Sequence, residues 1–389
     1  MSTPPTTRPG TTGARRALAV AAAVTAVLAA VLLTAGPAPA VPGAVAGGAD
    51  TTTVTTLPPG VDGDDTLPPV PANVTQTTAT YRTTDGRDMG VRIFRSPDAD
   101  GDDPAVVLIH GGGWFSGSAE TMDPWGGLLA DAGWVAFSID YRLATQGGGG
   151  PSWPQAFEDV QAGVEWVHAN AGRFGGDPTR LAVFGESAGA HLTVLLAEQG
   201  TGGQARIRVA SAWSAPLDLA ALVPGPDGTV PGCGGDAACQ EGWALGSGGG
   251  AVEWFLGCTP DQCPSTYAAA SPLGRVTAGT TPLWIANSTE ELVPLPPVQT
   301  LAGQLGDAGV DHELVVVEGE AHAHGYGEDV WNDMVPWLAA RLDVPSPDPV
   351  DFGDDGPWLV VGGAVVAVLV VVGLGFVVVR RRSHDGAPG

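Results

Sequence analysis

The sequence predicts an α/β fold: a mostly parallel central sheet with helices on both faces and a disulfide-stapled insertion near the functional edge of the sheet. Three observations predict it. Short apolar runs rich in strand formers alternate with helical patterns between residues 105 and 342, and such alternation builds a parallel sheet covered by helices. One of these runs, Leu181-Ala182-Val183-Phe184, passes straight into Gly185-Glu186-Ser187-Ala188-Gly189 and then into a leucine-rich helical stretch. Another, 105–109, feeds His110-Gly111-Gly112-Gly113-Trp114.

Each element follows in order. Residues 77–83 and 89–94 read as strands around the turn Asp85-Gly86, a good hairpin signal. The continuous apolar run 105–109 is the pattern of a strand buried on both faces. Residues 134–139 form the next strand, which ends in Asp140-Tyr141-Arg142-Leu143. The spacing of Phe157, Val160, Val164 and Val167 predicts a helix over 154–170. After the 181–184 strand come a helix over 188–197, a strand over 207–213, and then a break in the alternation from 216 to 271. The pattern resumes with a strand at 282–286, a helix around 299–305, a strand at 312–317 and a closing helix at 330–342.

The ends of the chain have a different character. Arg8, Arg15 and Arg16 precede an apolar run that closes in Pro37-Ala38-Pro39-Ala40, the pattern of a secretory signal over 1–40 or of an N-terminal anchor. Residues 41–76 are a Pro/Thr/Gly-rich linker and 343–357 an acidic, Pro-rich one. Residues 358–379 carry no charge and are followed by Arg380-Arg381-Arg382 in a short tail, 380–389. That length predicts a transmembrane helix, because roughly 20 apolar residues cross a bilayer. The arginines belong on the cytoplasmic side. The expectation is a single-pass protein at the cell membrane, its domain at 77–342 extracytoplasmic and its lipid bilayer contact made through the C-terminal helix.

Composition excludes some partners. The formal net charge is −25 with 17 Lys plus Arg, which leaves no basic surface for nucleic acid. The 44 % apolar content supports a full core. Cys233, Cys239, Cys258 and Cys263 are the four cysteines, and outside the membrane they read as two disulfides, 233–239 and 258–263, each closing a short loop. Zinc is the competing reading. It suits the spacing of Cys258 and Cys263 but not the five residues between Cys233 and Cys239.

The chemistry centres on Ser187. A G-x-S-x-G is weak by itself in a chain with 58 glycines; between a strand and a helix it is a nucleophile elbow, with the serine on a strained backbone. Gly185 and Gly189 stand where a side chain would meet neighbouring backbone. The three glycines after 105–109 bare backbone N–H groups at a strand's carboxyl end, as an anion-stabilising loop requires. A serine needs a base and the base an orienting acid, later in the chain and each after a strand. The loop after 282–286 offers Glu290 and Glu291; the loop after 312–317 offers His322 and His324.

Together these motifs resemble the α/β-hydrolase fold, specifically the serine esterases and lipases of the hormone-sensitive-lipase-like group, over residues 81–342. The resemblance implies Ser187 as nucleophile. It implies Glu290 as acid, four residues before Pro294, with Glu291 in reserve. It implies His322 as base, three residues after Gly319, although His324-Gly325-Tyr326 fits another family cue. The oxyanion donors it implies are the N–H groups of Gly112, Gly113 and Ala188. Hydrolysis of small-molecule carboxylic esters of short to medium acyl length, through an acyl-enzyme and with no cofactor, is the implied function. An amidase or peptidase using the same triad, and an inactive membrane-tethered binding module, are the alternatives. Arg142, Asp159, His110 and His191 are expected to be structural.

Overall fold

The computed structural model describes residues 69–144, 150–200, 207–225, 227–234, 239–240, 243 and 248–352, together with strand segments at 55–56, 366–372 and 375–381. The segment 1–40, most of the 41–76 linker and the end of the tail lie outside them.

Eight strands form the heart of the sheet: β1 (Thr75–Arg82), β2 (Asp88–Arg95), β3 (Asp103–Ile109), β4 (Val135–Ile139), β5 (Gly176–Glu186), β6 (Val209–Trp213), β7 (Leu283–Ser288) and β8 (His312–Val317). Their spatial order is β1-β2-β4-β3-β5-β6-β7-β8. β2 runs antiparallel to β1 and β4, and every later pairing in this set is parallel. The parallel neighbours are joined through helices, as parallel strands must be. These are α1 (Asp123–Asp131), α2 (Gln155–Asn170), α3 (Ala188–Glu198), α4 (Gly248–Leu256), α5 (Pro264–Ala270), α6 (Leu295–Asp307) and α7 (Gly327–Arg341).

The period of two along β3 divides the core. Val107 and Ile109 point to the face covered by α2 and α3, with Val160, Val164 and Leu192. Val106 and Leu108 point to the face covered by α1 and α7, with Trp125, Trp331 and Leu338. A third cluster seats α6 beside α3, through Val298, Leu301 and Val194. Arg142 joins Asp159 and Asp85, with its Nε 2.6 Å from Asp159 Oδ2, so both residues hold structure together as expected.

Both expected disulfides are present, Cys233–Cys239 and Cys258–Cys263; the thiolates a zinc site would need are consumed. Helices α4 and α5 lie within the insertion. The expected spacer also differs from a free linker at its start. Val350 exchanges backbone hydrogen bonds of 2.9 Å with the Asn332 side chain on α7, and Val344 and Phe352 pack on the core beneath.

The C-terminal expectation is corrected. Where 358–379 is described it is not helical: β9 (Val366–Val372) and β10 (Gly375–Arg381) pair antiparallel, and β10 runs parallel to β8. Among the described residues no helix is long and apolar enough to cross a membrane. A lipid bilayer bound through a C-terminal helix therefore has no support in the fold. The reason is that hydropathy counts length and apolarity alone. A valine-rich run satisfies both, yet its β-branched side chains also favour a pleated sheet, and the open edge of β8 supplies partners for its backbone.

Candidate active site

The carboxyl ends of the parallel strands gather the polar groups. Ser187 stands between β5 and α3 with φ 50° and ψ −118°, a conformation that costs a non-glycine residue about 1–3 kcal/mol. Backbone bonds hold it there: Ser187 N–H donates to Trp213 O at 2.8 Å, and His191 N–H donates to Ser187 O at 3.0 Å. The flanking glycines are sterically required. A Cβ on Gly189 would overlap the carbonyl oxygen of Ile109, and one on Gly185 that of Gly189.

The glycine loop lies against this elbow. A Cβ on Gly111 would sit 3.2 Å from Ser187 Cβ, and Gly112 and Gly113 take φ of 110° and 59°. His110 and Tyr141 brace it. Their rings stack with centroids 4.3 Å apart, Tyr141 OH donates to His110 O at 3.0 Å, and His110 Nδ1 lies 2.7 Å from Gly111 O. Burial pushes the His110 imidazole below its ordinary value, so the neutral ring donates Nδ1–H to that carbonyl. Gly111 thus packs against the turn that carries Ser187 and Ala188, and Gly112 and Gly113 follow it directly in the chain.

The insertion closes over the same edge. Phe255 stacks on Trp114 with centroids 4.8 Å apart, and Trp254 meets Phe115 edge-on at 5.2 Å. Trp243 Nε1 donates to Leu292 O at 2.5 Å. His191, wholly buried on α3, joins three parts: Nδ1 accepts from Trp114 Nε1 at 3.2 Å, and Nε2 lies 2.8 Å from Ala270 O on α5. Burial first, and then Arg275, lower its pKa to about 4, against the raising effect of the Ala270 bond. It is neutral in use, with the proton on Nε2.

The carboxylate that meets His322 is not the expected Glu290. Glu290 is exposed, and its N–H donates to Gly319 O at 3.0 Å. Glu291 is the carboxylate that meets His322: its side chain is 0 % exposed, and Oε2 contacts His322 Nδ1. Oε1 accepts from Ser214 Oγ and Ser288 N–H, both at 2.8 Å. The count back from Pro294 lands one residue early because it ignores which side chain turns inward. Adjacent residues face opposite ways in an extended loop, and only the inward one reaches the imidazole.

The two candidate histidines also separate. His322 is 27 % exposed and faces Glu291. His324 is 42 % exposed, and its Nδ1 lies 3.8 Å from Glu186 Oε2; Glu186 Oε1 meanwhile accepts from Trp125 Nε1 at 2.7 Å. Ser214, at the end of β6, is a participant the sequence reading missed. Its only signal is position, as the first residue past a strand that ends beside the elbow. Chemically, the edge presents a serine on a strained turn, an imidazole whose Nδ1 is occupied by a buried carboxylate, and two turns rich in backbone N–H groups.

Comparison with known proteins finds esterases among the similar chains. A family model described as BD-FAE matches residues 91–219. The carboxylesterase NlhH of Mycobacterium tuberculosis is 38 % identical over 112 residues, which cover 28 % of this chain and 34 % of that protein. An ethyl acetate hydrolase of Pseudomonas putida is 37 % identical over 126 residues, 30 % of this chain and 36 % of that one. The chain spans about a third of the length of these curated relatives. Among solved structures, a brefeldin A esterase described as a bacterial homologue of human hormone-sensitive lipase aligns with a TM-score of 0.59 at 24 % identity, over 73 % of this chain and 81 % of that one. The fold is that of the α/β-hydrolases. A truncated carbohydrate esterase from gut microbiota shares it, with a TM-score of 0.54 at 19 % identity over 72 % of this chain and 99 % of that one.

Proposed function

We propose that this α/β-hydrolase is a serine carboxylesterase in which Ser187 is the nucleophile, His322 the base and Glu291 the orienting acid. The observation that carries the proposal is the contact of the buried Glu291 with the half-buried His322 on the same sheet edge as the elbow serine. Ser187 Oγ attacks the ester carbonyl as His322 Nε2 takes its proton. The N–H groups of Gly112, Gly113 and Ala188 hold the oxyanion, an interaction whose loss removes roughly 3–4 kcal/mol per donor in the best-studied case. His322 then returns the proton to the departing alcohol. Water, deprotonated by the same imidazole, attacks the acyl-enzyme and frees the acid. Glu291 keeps its charge and stabilises the imidazolium through Nδ1.

Esters of short to medium acyl chains are the proposed substrates. The similarity to a carboxylesterase and an ethyl acetate hydrolase supports ester hydrolysis, and the aromatic side chains of 216–271 over the glycine loop supply apolar walls. The test is labelling with a fluorescent phosphonate, followed by turnover of acetyl, butyryl and octanoyl esters and of one matched amide. The expected result is a label that is lost in Ser187→Ala, ester turnover lost with it, and esters far ahead of the amide. An unlabelled parent, or Ser187→Ala at parental activity, would overturn the proposal. The two disulfides support a further proposal, that the domain works outside the cytoplasm. Protein from its native cells should take up alkylating label only after reduction, and thiols found free before reduction would place it elsewhere.

A further inference from the structure

The carboxyl ends of four consecutive strands each contribute one polar side chain to this edge: Ser187 from β5, Ser214 from β6, Glu291 from the loop after β7 and His322 from the loop after β8. The proposed triad takes three of them. Ser214 is fully buried and has φ 54°, where glycine would sit without strain. A serine kept at such a position points to a use for its side chain. Its Oγ lies 2.8 Å from Glu291 Oε1, 2.8 Å from Tyr326 OH and 2.9 Å from the N–H of Ala323.

We propose that Ser214 is a positioning residue for the acid, and the proposal rests on the triad reading of Ser187, His322 and Glu291. Its hydroxyl gives its one proton to Glu291 Oε1, the charged and therefore stronger acceptor. One of its lone pairs takes the Ala323 N–H, and the Tyr326 oxygen lies 2.8 Å away. Tyr326 O–H donates to Ala286 O at 3.0 Å, and burial first, then Glu291, keeps the phenol pKa well above its ordinary value.

Two consequences follow from that bonding. With Ser288 N–H as the second donor to Oε1, the carboxylate cannot rotate, and Oε2 is held toward His322 Nδ1. Ala323 is the residue directly after the base and itself has φ 47°, so one oxygen atom ties the acid and the loop of the base to the end of β6. Ser214 touches no reacting atom; it sets where the acid and base stand. The titratable groups facing the pair are Tyr326 from the base loop and, from the elbow, Glu186 with its neighbour His324.

The experiment uses the full chain with 4-nitrophenyl butyrate as substrate. It compares Ser214→Ala, Ser214→Gly and Glu291→Gln, with kcat expressed per site titrated by the phosphonate. Ser214→Gly relieves the positive φ while it removes the hydroxyl, so it separates folding from positioning. Both Ser214 variants should lose about 10- to 100-fold in kcat with KM within about threefold, because the geometry of the transition state is damaged rather than ground-state binding. The acid limb of their kcat/KM profiles should move up by roughly half a pH unit. A carboxylate that has lost a donor holds a proton on the pair more strongly. Tm of Ser214→Gly should exceed that of Ser214→Ala, which loses the same hydroxyl but keeps the strained φ. Parental kcat and an unmoved acid limb in Ser214→Gly, beside a crippled Glu291→Gln, would overturn the positioning role alone. Parental kcat in Glu291→Gln would instead overturn the triad reading on which it stands.

Discussion

The two edges of the sheet solve the same backbone problem differently. At the amino edge, where the chain turns into β3, β4, β5 and β8, the left-handed positions are glycines: Gly101, Gly133, Gly175 and Gly309. At the carboxyl edge, Trp114, Ser187, Ser214 and Ala323 take φ between 47° and 64°, each at a cost of order 1 kcal/mol that glycine would avoid. The amino-edge turns only reverse the chain, so no side chain is wanted there. At the carboxyl edge a side chain is needed: the Trp114 indole bonds His191, Ser187 carries the proposed nucleophile, and Ser214 bonds the acid. Strain is concentrated where chemistry is proposed, and the hydrogen bonds these residues make offset it.

The largest expected effect sharpens this contrast within the carboxyl edge itself. Glu291→Gln keeps the shape of the side chain but presents a neutral amide to His322, and kcat should fall about 10³- to 10⁴-fold, as a triad carboxylate does when converted to its amide. Glu290→Gln, one residue away and exposed, should stay within about twofold. Measuring kcat for both on one ester near pH 8 decides it, and a larger loss for Glu290→Gln would break the assignment.

A second effect tests the packing beneath the edge. His191 is buried neutral with a pKa of about 4, against about 6.5 in an unfolded chain. Its contribution is fully present above pH 6.5. As pH falls from 6.5 toward 4, the unfolded state takes up a proton that the folded state refuses, and stability drops by roughly 3 kcal/mol in all. Tm of the parent should therefore fall more steeply over that window than Tm of His191→Gln. Parallel curves would show that some other group governs acid sensitivity.

The smallest effects compare the two edges directly. Gly309→Ala puts a Cβ at φ 70° in open space and should cost about 1–2 kcal/mol by denaturant titration, with kcat unchanged, because only the backbone is strained. Ala323→Gly should do the reverse, gaining about 0.5–1 kcal/mol in stability. Its kcat should fall modestly, by a fewfold, as the base loop loosens. Stabilisation with no change in kcat would mean that Ala323 carries strain without consequence for the site.

Much of the molecule was legible in one dimension. Period and composition placed the eight core strands within a few residues, because buried parallel strands and amphipathic helices each impose their own spacing of apolar side chains. The Ser187 elbow and its glycines were readable because close approach of backbones admits no other residue there. Cysteine spacing foretold both disulfides, since short loops favour local closure. Helix α1 was missed: its sequence, Asp123-Pro124-Trp125-Gly126-Gly127, carries two glycines that weaken any helical signal, and packing against β2 and β4 holds it. The apolar stretch after 357 predicts a membrane helix, whereas its described residues 366–372 and 375–381 are strands, because apolarity does not distinguish lipid from a neighbouring strand. The choice of Glu291 over Glu290, of His322 over His324 as its partner, and the arrival of Ser214 beside both were decided by tertiary structure. Each depends on which side chain turns inward at the end of a strand, and that is settled only when strands distant in sequence lie side by side.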